Sequence, residues 1–521
     1  MLNKRLALIF LGILLILLSI VCLYFYTSQA KQTKTLFTLM PPLETGIDFE
    51  NKLPVDVMGV NNVLSSQYYY NGGGVALGDI NNDGLIDIYF TANRSINKLY
   101  LNMGKMKFKD ITEDAGVGSK RFSTGAVFVD INNDDFLDLY VCNSGVIDNP
   151  RKLANQLYIN QKDGTFKEMG GQYNVNDPNH STQAAFFDYD ADGDLDLYVM
   201  NHSILFQMSQ DKVKKEIKDK KKLRKLSGRL LENNNGAFID VTEKSGLLRY
   251  GYGLGLSVSD INSDGYPDIY VANDFSIPDF FYINNGDGTF TDKQKELTRQ
   301  ISWFGMGTDI ADINNDGFLD IGVLDMAAND HVRSKTFMAS MSPSTVDYYV
   351  NVMKYPHQFM FNSLQLNNGN NTFSNIANLA GISKTDWSWG ALFADFNNDG
   401  FKDFFVSNGF RKNTLDNDFQ IKLKETMKLF KGKIDKKNRQ ELYKEMPEVK
   451  LPNKLFINNK NLKFNDIGDE QGLHQPSFSN GAAYADLDND GDLDLVVNNI
   501  DQEAFIYKNN SQENNNNYLR V

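Results

Sequence analysis

Seven stretches of the chain space their carboxylates identically. They read DINNDGLID from Asp79, DINNDDFLD from Asp130, DYDADGDLD from Asp188, DINSDGYPD from Asp260, DINNDGFLD from Asp312, DFNNDGFKD from Asp395 and DLDNDGDLD from Asp486. Positions 1, 3, 5 and 9 hold Asp79, Asn81, Asp83 and Asp87 in the first copy and Asp130, Asn132, Asp134 and Asp138 in the second. The third holds Asp188, Asp190, Asp192 and Asp196, and the fourth Asp260, Asn262, Asp264 and Asp268. The fifth holds Asp312, Asn314, Asp316 and Asp320, the sixth Asp395, Asn397, Asp399 and Asp403, and the seventh Asp486, Asp488, Asp490 and Asp494. Position 7 varies freely through Leu85, Phe136, Asp194, Tyr266, Phe318, Phe401 and Asp492. Side-chain oxygens at alternating positions, with a backbone carbonyl where side-chain identity does not matter, are what calcium requires. The ion takes roughly six to eight such oxygens.

The pattern therefore predicts up to seven Ca2+ sites. Glycine at position 6 permits a sharp turn, and Asp135 replaces it in the second copy, which is expected to be the weakest site. A helix–loop–helix calcium site would share the first half of this pattern but needs Glu at position 12. Phe90, Val141, Val199, Val271, Val323, Val406 and Val497 stand there instead. The loops hold 26 of the 66 acidic residues and one of the 53 bases, so the rest of the chain carries 40 acids against 52 bases. Its acidity thus lies in the loops, where clustered carboxylates repel one another unless a cation neutralises them. The net charge of −13 argues against general nucleic-acid affinity.

The elements that position these loops repeat with them. A short apolar run precedes each loop (VALG, AVFV, AAFF, LSVS, TDIA, ALFA, AAYA), and a second follows it (IYF, LYV, LYV, IYV, IGV, FFV, LVV). Rich in β-branched and aromatic residues, these runs read as strands. A glycine stands five residues ahead of the first Asp in six copies, with Gln183 the exception. Third strands follow, such as NKLYLN (97–102) and NKLFIN (453–458), and then fourth strands such as FKDITEDAG (108–116). Four antiparallel strands repeated seven times specify a β-propeller. The last copy lacks a fourth strand, and residues near 36–40 are expected to supply it and close the ring.

These loops, with their flanking glycine and paired strands, resemble the FG-GAP/VCBS repeat of integrin-α-like propellers. The string YNGGGVALGDINNDGLIDIYF (70–90) with FKDITEDAG resembles the cartilage-acidic-protein family, which in bacteria is often followed by an ASPIC/UnbV domain. The fold class expected is all-β, a seven-bladed propeller over 36–510, preceded by an N-terminal apolar helix. Residues 511–521 read as a linker and the start of an ASPIC/UnbV-like domain. The resemblance implies calcium-stabilised binding or adhesion toward protein or glycan ligands. A carbohydrate-active or other hydrolytic or lyase enzyme is the alternative, although no zinc spacing, nucleophile elbow or phosphate loop is present.

Lys4 and Arg5 precede an apolar run of 21 residues, from Leu6 to Tyr26. Residues 1–30 read as a membrane anchor or signal segment, which places the remainder in the cell envelope, facing the periplasm or exterior. Basic stretch 212–229 reads as a helical insertion in blade three, charged stretch 418–445 as one in blade six, and 327–360 as a cap over one face.

The start of each first strand and the end of each second must meet on the face opposite calcium. Eight residues before each loop stand Asn71, Phe122, His180, Tyr252, Phe304, Trp387 and Phe478. Beside them lie Asn93, Asn143, Asn201, Asn273, Asp325, Asn408 and Asn499. Aromatic faces with amide donors suit sugars or peptides, with Trp387, Tyr252 and His180 as contacts. The structural alternative is that the aromatics pack between blades and the asparagines cap strand ends.

Overall fold

A computed structural model describes residues 35–59, 62–145, 150–205, 210–275, 277–337, 343–432 and 434–514. The apolar segment 6–26, and with it the expected N-terminal helix, lies outside the described residues, as do residues 515–521. Among the described residues no helix is long and apolar enough to cross a membrane.

Seven four-stranded antiparallel sheets form, each with its strands in chain order except the last. Blade one consists of Val75–Gly78, Asp87–Phe90, Lys98–Asn102 and Phe108–Asp110. In blade seven, Phe37–Leu39 pairs with Phe505–Asn509, so the outermost strand comes from the opposite end of the chain. This closure matches the sequence expectation and leaves no blade with a missing strand.

The first strand of each blade packs against the first strand of the next, and the seventh returns to the first. These strands line the central channel, and the expected glycines sit where they approach most closely. A Cβ at Gly125 would lie 2.7 Å from Thr182 O, and one at Gly74 2.9 Å from Thr124 O. No larger side chain fits between the backbones. Gln183, the exception, points its amide across to blade four and accepts a hydrogen bond from Leu256 N at 3.0 Å. The second strands are buried on both faces, in keeping with their unbroken apolar sequence.

A second tie crosses six of the seven blade boundaries at the end of the third strand; in blade three the equivalent Asn233 donates to Leu195 O of its own blade. Asn160 Nδ2 donates to Ile80 O of the preceding blade at 2.8 Å, Asn284 to Tyr189 O at 2.7 Å and Asn458 to Ile313 O at 2.8 Å. Asn102 makes the same bond to Leu487 O at 2.8 Å, across the seam between blades one and seven. Each such bond satisfies a buried carbonyl that would otherwise be costly.

The insertions lie where expected, as excursions from the ring. Blade three carries Gln210–Glu216 and Lys220–Leu223, and blade six carries Asn417–Leu429 and Lys436–Glu445. Blade five adds Arg333–Thr336, Pro343–Asp347 and a two-stranded parallel sheet of Gln300–Ser302 with His357–Phe359.

Candidate metal loops and the opposite mouth

Every loop folds around its own carboxylates. In blade one, Asp79 accepts from Asp83 N at 3.1 Å and Gly84 N at 2.7 Å, and Asp83 accepts from Leu85 N at 2.9 Å. Asp87, fully buried, accepts from Ile80 N at 3.0 Å and from Asn102 N on the third strand at 2.7 Å. Asp188, Asp192 and Asp196 make the corresponding bonds in blade three, and Asp395, Asp399 and Asp403 do so in blade six. The residues at positions 1, 5 and 9 thus shape the turn as well as crowding its charge.

Two positions in each loop adopt positive φ. At position 6, Gly84 has φ 82° and Gly265 92°, while Asp135 reaches 68° in blade two. An Asp in this strained region supports the reading of blade two as the weakest loop. Position 4 is also left-handed, from Asn133 at 54° to Ala191 at 61°. Asn predominates there, and it has a further role that the spacing of the aspartates did not reveal. Asn82 Nδ2 donates to Asp135 O of the next loop at 2.8 Å, Asn315 to Gly400 O at 2.8 Å, Asn398 to Asp492 Oδ1 at 2.7 Å and Asn489 to Gly84 O at 3.0 Å. Ala191 lacks an amide to make such a bond.

Among the described residues, Lys162 reaches Asp134 at 3.4 Å, Lys460 reaches Asp399 at 3.5 Å and Lys508 pairs with the seventh loop, while no lysine or arginine pairs with the loop aspartates of the other four blades. Burial, followed by smaller contributions from the neighbouring aspartates, pushes Asp87, Asp138, Asp196, Asp268, Asp320 and Asp403 up to about 7, and raises Asp494 as well. Carboxylate oxygens of Asp188, Asp190 and Asp196 lie within 4.8 Å of one another, as do those of Asp486, Asp488 and Asp494. Asp190 Oδ1, Asp194 Oδ1 and Asp488 Oδ1 are buried with no hydrogen-bond partner. Converging oxygen ligands with buried, unpartnered oxygens fit a hard divalent cation such as calcium.

Blades three and seven differ in what faces their five aspartates. Glu232, just before the third-strand Asn233, accepts from Tyr189 OH at 2.9 Å and adds another acid. At the same register in blade seven stands Lys508, whose ammonium pairs with Asp488 and, at 2.9 Å, with Asp490. In blade three Lys244 lies 4.0 Å from Glu232 and pairs with no loop aspartate among the described residues, whereas in blade seven a lysine binds the loop aspartates directly.

The opposite face departs from the open ring of aromatics that the strand geometry suggested. Trp387 and Tyr252 are each only 5% exposed. Trp387 stacks on Phe410 at 3.7 Å and meets the edge of Phe337 at 5.3 Å, so residues from the blade-five and blade-six excursions cover it. Tyr252 packs against Tyr250 and Phe275. His180 is half-buried beside His202, with ring centroids 5.4 Å apart. Asn143, Asn201, Asn273, Asn408 and Asn499 are buried and cap strand ends, as where Asn273 Nδ2 donates to Pro278 O at 3.0 Å. The structural alternative therefore describes the amides.

What the strand pattern missed is a segment with no counterpart in the repeat. The turn Gln67–Tyr70, between the closing strand and blade one, lays three buried tyrosines across this face. Tyr70 meets Phe410, Tyr69 meets Phe122, and Tyr68 packs against His202 and donates to Asp274 Oδ2 at 3.2 Å. The run YYY at 68–70 was the available signal. A cavity of about 150 Å³ remains at this mouth, lined by Tyr68, Asp274, Phe275, Phe304, Trp387 and Trp389 among others. Nearby, Ser144 Oγ lies 2.9 Å from His202 Nε2, but both residues are 3% exposed and offer a substrate no approach.

The FG-GAP-like repeat family matches residues 79–141, 146–199, 260–323 and 345–406. Cartilage acidic protein 1 from Homo sapiens is 37% identical over 86 residues, and its Mus musculus counterpart is 36% identical over 86. Each match covers 16% of this chain and 13% of the relative, so the chain spans only a small part of those relatives' length. Among solved structures, an Agrocybe aegerita lectin described as recognising non-reducing terminal N-acetylglucosamine aligns with 78% of this chain and 84% of its own, at 14% identity and TM-score 0.38.

Proposed function

We propose that this chain, a seven-bladed propeller of FG-GAP-like repeats, is an exported binding module whose loop face is held by calcium and whose opposite mouth receives a ligand. The observation that carries the first half is the set of unpartnered buried carboxylate oxygens at Asp190, Asp194 and Asp488. Calcium at positions 1, 3, 5, 7 and 9 would neutralise each loop and lock its turn, a structural rather than catalytic service. The apolar run 6–26 with its basic flank supports export, and the FG-GAP-like repeats support a binding role.

The second half rests on the cavity beside Trp389, which is lined by aromatic rings with few polar groups, as ligand sites commonly are. A glycan and peptide array read with calcium-loaded protein tests it. Hits are expected to vanish in Trp389→Leu and to persist in the loop variant Asn489→Ser. Hits that survive Trp389→Leu would place the site elsewhere, and turnover of a bound compound would favour the enzyme reading.

A further inference from the structure

The mouth cavity holds an acid that has no basic counterpart. Asp274 is 5% exposed; its Oδ2 accepts from Tyr68 OH at 3.2 Å and its Oδ1 from Phe275 N at 2.6 Å. Both partners are neutral, and no Lys, Arg or His appears among the described residues lining the cavity. Behind it lies a second buried acid, Asp325, which accepts from the backbone N–H groups of Trp303, Phe304 and Met326. Neither acid forms an ion pair among the described residues. Burying a carboxylate without a counter-charge is costly, and burial pushes Asp274 up to about 7; a cation seated against this cavity wall would restore its ionised form and gain a buried counter-ion.

The remaining walls suit one kind of cation. Phe275 meets Tyr68 at 6.2 Å and Phe304 at 6.4 Å between ring centroids, forming one aromatic side. Trp387 and Trp389 form the other, held by Phe410 behind them. Aromatic faces attract organic ammonium ions, whose charge is spread over alkyl groups and cheaply desolvated, far better than they attract a hydrated metal ion. About 150 Å³ is the size of cavity that admits a benzene ring, and an alkylated ammonium head group fits the same space. Phe275, Phe304 and Trp389 are only half-buried, so the cavity opens to the surface.

We propose that this mouth cavity binds an alkylated ammonium group, with Asp274 as counter-ion and Tyr68, Phe275, Phe304, Trp387 and Trp389 as the aromatic cage. The proposal names the ligand class for the mouth assigned above and rests on that assignment. Titration calorimetry with choline and with dimethylbutanol, its neutral isostere in which carbon replaces nitrogen, separates charge from shape. Choline is expected to bind at least about tenfold more tightly, a preference abolished in Asp274→Asn and reduced in Phe304→Leu. Melting curves establish that both variants are folded, and Phe304→Leu leaves the acid intact should Asp274→Asn fail. Equal binding of the two probes, or no binding of choline, would overturn the ammonium assignment. If array hits still depended on Trp389, the mouth would remain the binding site with a different ligand class. If they did not, both readings would fall.

Discussion

At the loop end, the same nine residues make the same bonds in blade after blade, and Asp79, Asp188 and Asp395 are interchangeable in their hydrogen bonding. At the mouth, the equivalent position varies from Asn71 through His180 and Tyr252 to Trp387, with phenylalanine in the other three blades, and Trp387 is covered by residues outside the repeat. A ring that must close demands uniform geometry at one end. Recognition demands asymmetry, which the insertions supply at the other. Under the proposed function, the difference assigns stability to what recurs and selectivity to what does not.

The largest effect expected is from removing calcium. Each occupied loop contributes about 2.7 kcal/mol when free calcium exceeds its Kd a hundredfold. A chelator should therefore lower the Tm strongly, and Trp389→Leu at the mouth should leave that shift unchanged. A shift altered by the mouth variant would merge the two ends that the structure separates.

The loop end should next betray itself through pH. The position-9 aspartates sit at about 7 in the metal-free fold, above roughly 3.9 for an unfolded chain. Between those values the folded state holds more protons than the unfolded one. Metal-free stability should accordingly be greatest near pH 4 as far as these groups are concerned and should fall as pH rises toward 7. Calcium should remove that decline. Denaturant titrations across this range check it, and a metal-free protein that gained stability from pH 4 to 7 would contradict the arrangement.

The sequence made the loop end legible because its rule is local. Nine residues with fixed spacing disclosed the turn, the flanking strands, the glycine ring and the closing strand at Phe37–Leu39. It did not disclose the inter-loop bond of Asn82 or the blade tie of Asn160, because each partner lies in another blade. At the mouth, reading failed for a physical reason. Whether Trp387 is exposed depends on Phe337 and Phe410, which arrive from excursions that carry no period. Asp274 likewise gained its meaning only when Tyr68 was laid across it.

Matched substitutions sharpen the contrast at a smaller scale. Asn160→Leu, Asn284→Leu and Asn458→Leu each leave a buried carbonyl of the neighbouring blade unpaired, and should cost about 1–3 kcal/mol and close to the same in all three. At the mouth, Phe122→Leu removes a ring packed on Tyr69, while Phe304→Leu alters a half-buried wall. These two should differ, with Phe122→Leu costing about 1 kcal/mol more. Equal mouth costs with scattered loop-end costs would invert the account. The smallest effect belongs to Lys508→Gln, which should destabilise the metal-free protein by under about 1 kcal/mol, since its ion pairs are partly exposed. The same change should increase the calcium dependence of the melting temperature, and a decrease would show that Lys508 assists rather than replaces the ion.

The central claim is that the repeated aspartates hold calcium. A crystal structure grown with calcium, with the anomalous signal of terbium exchanged into the same sites, tests it most directly. The account predicts peaks inside the loops, strongest among Asp188, Asp190 and Asp196, weak in the loop containing Asp135, and none in the aromatic mouth cavity. A folded ring whose loops carry no peaks at saturating ion would contradict it.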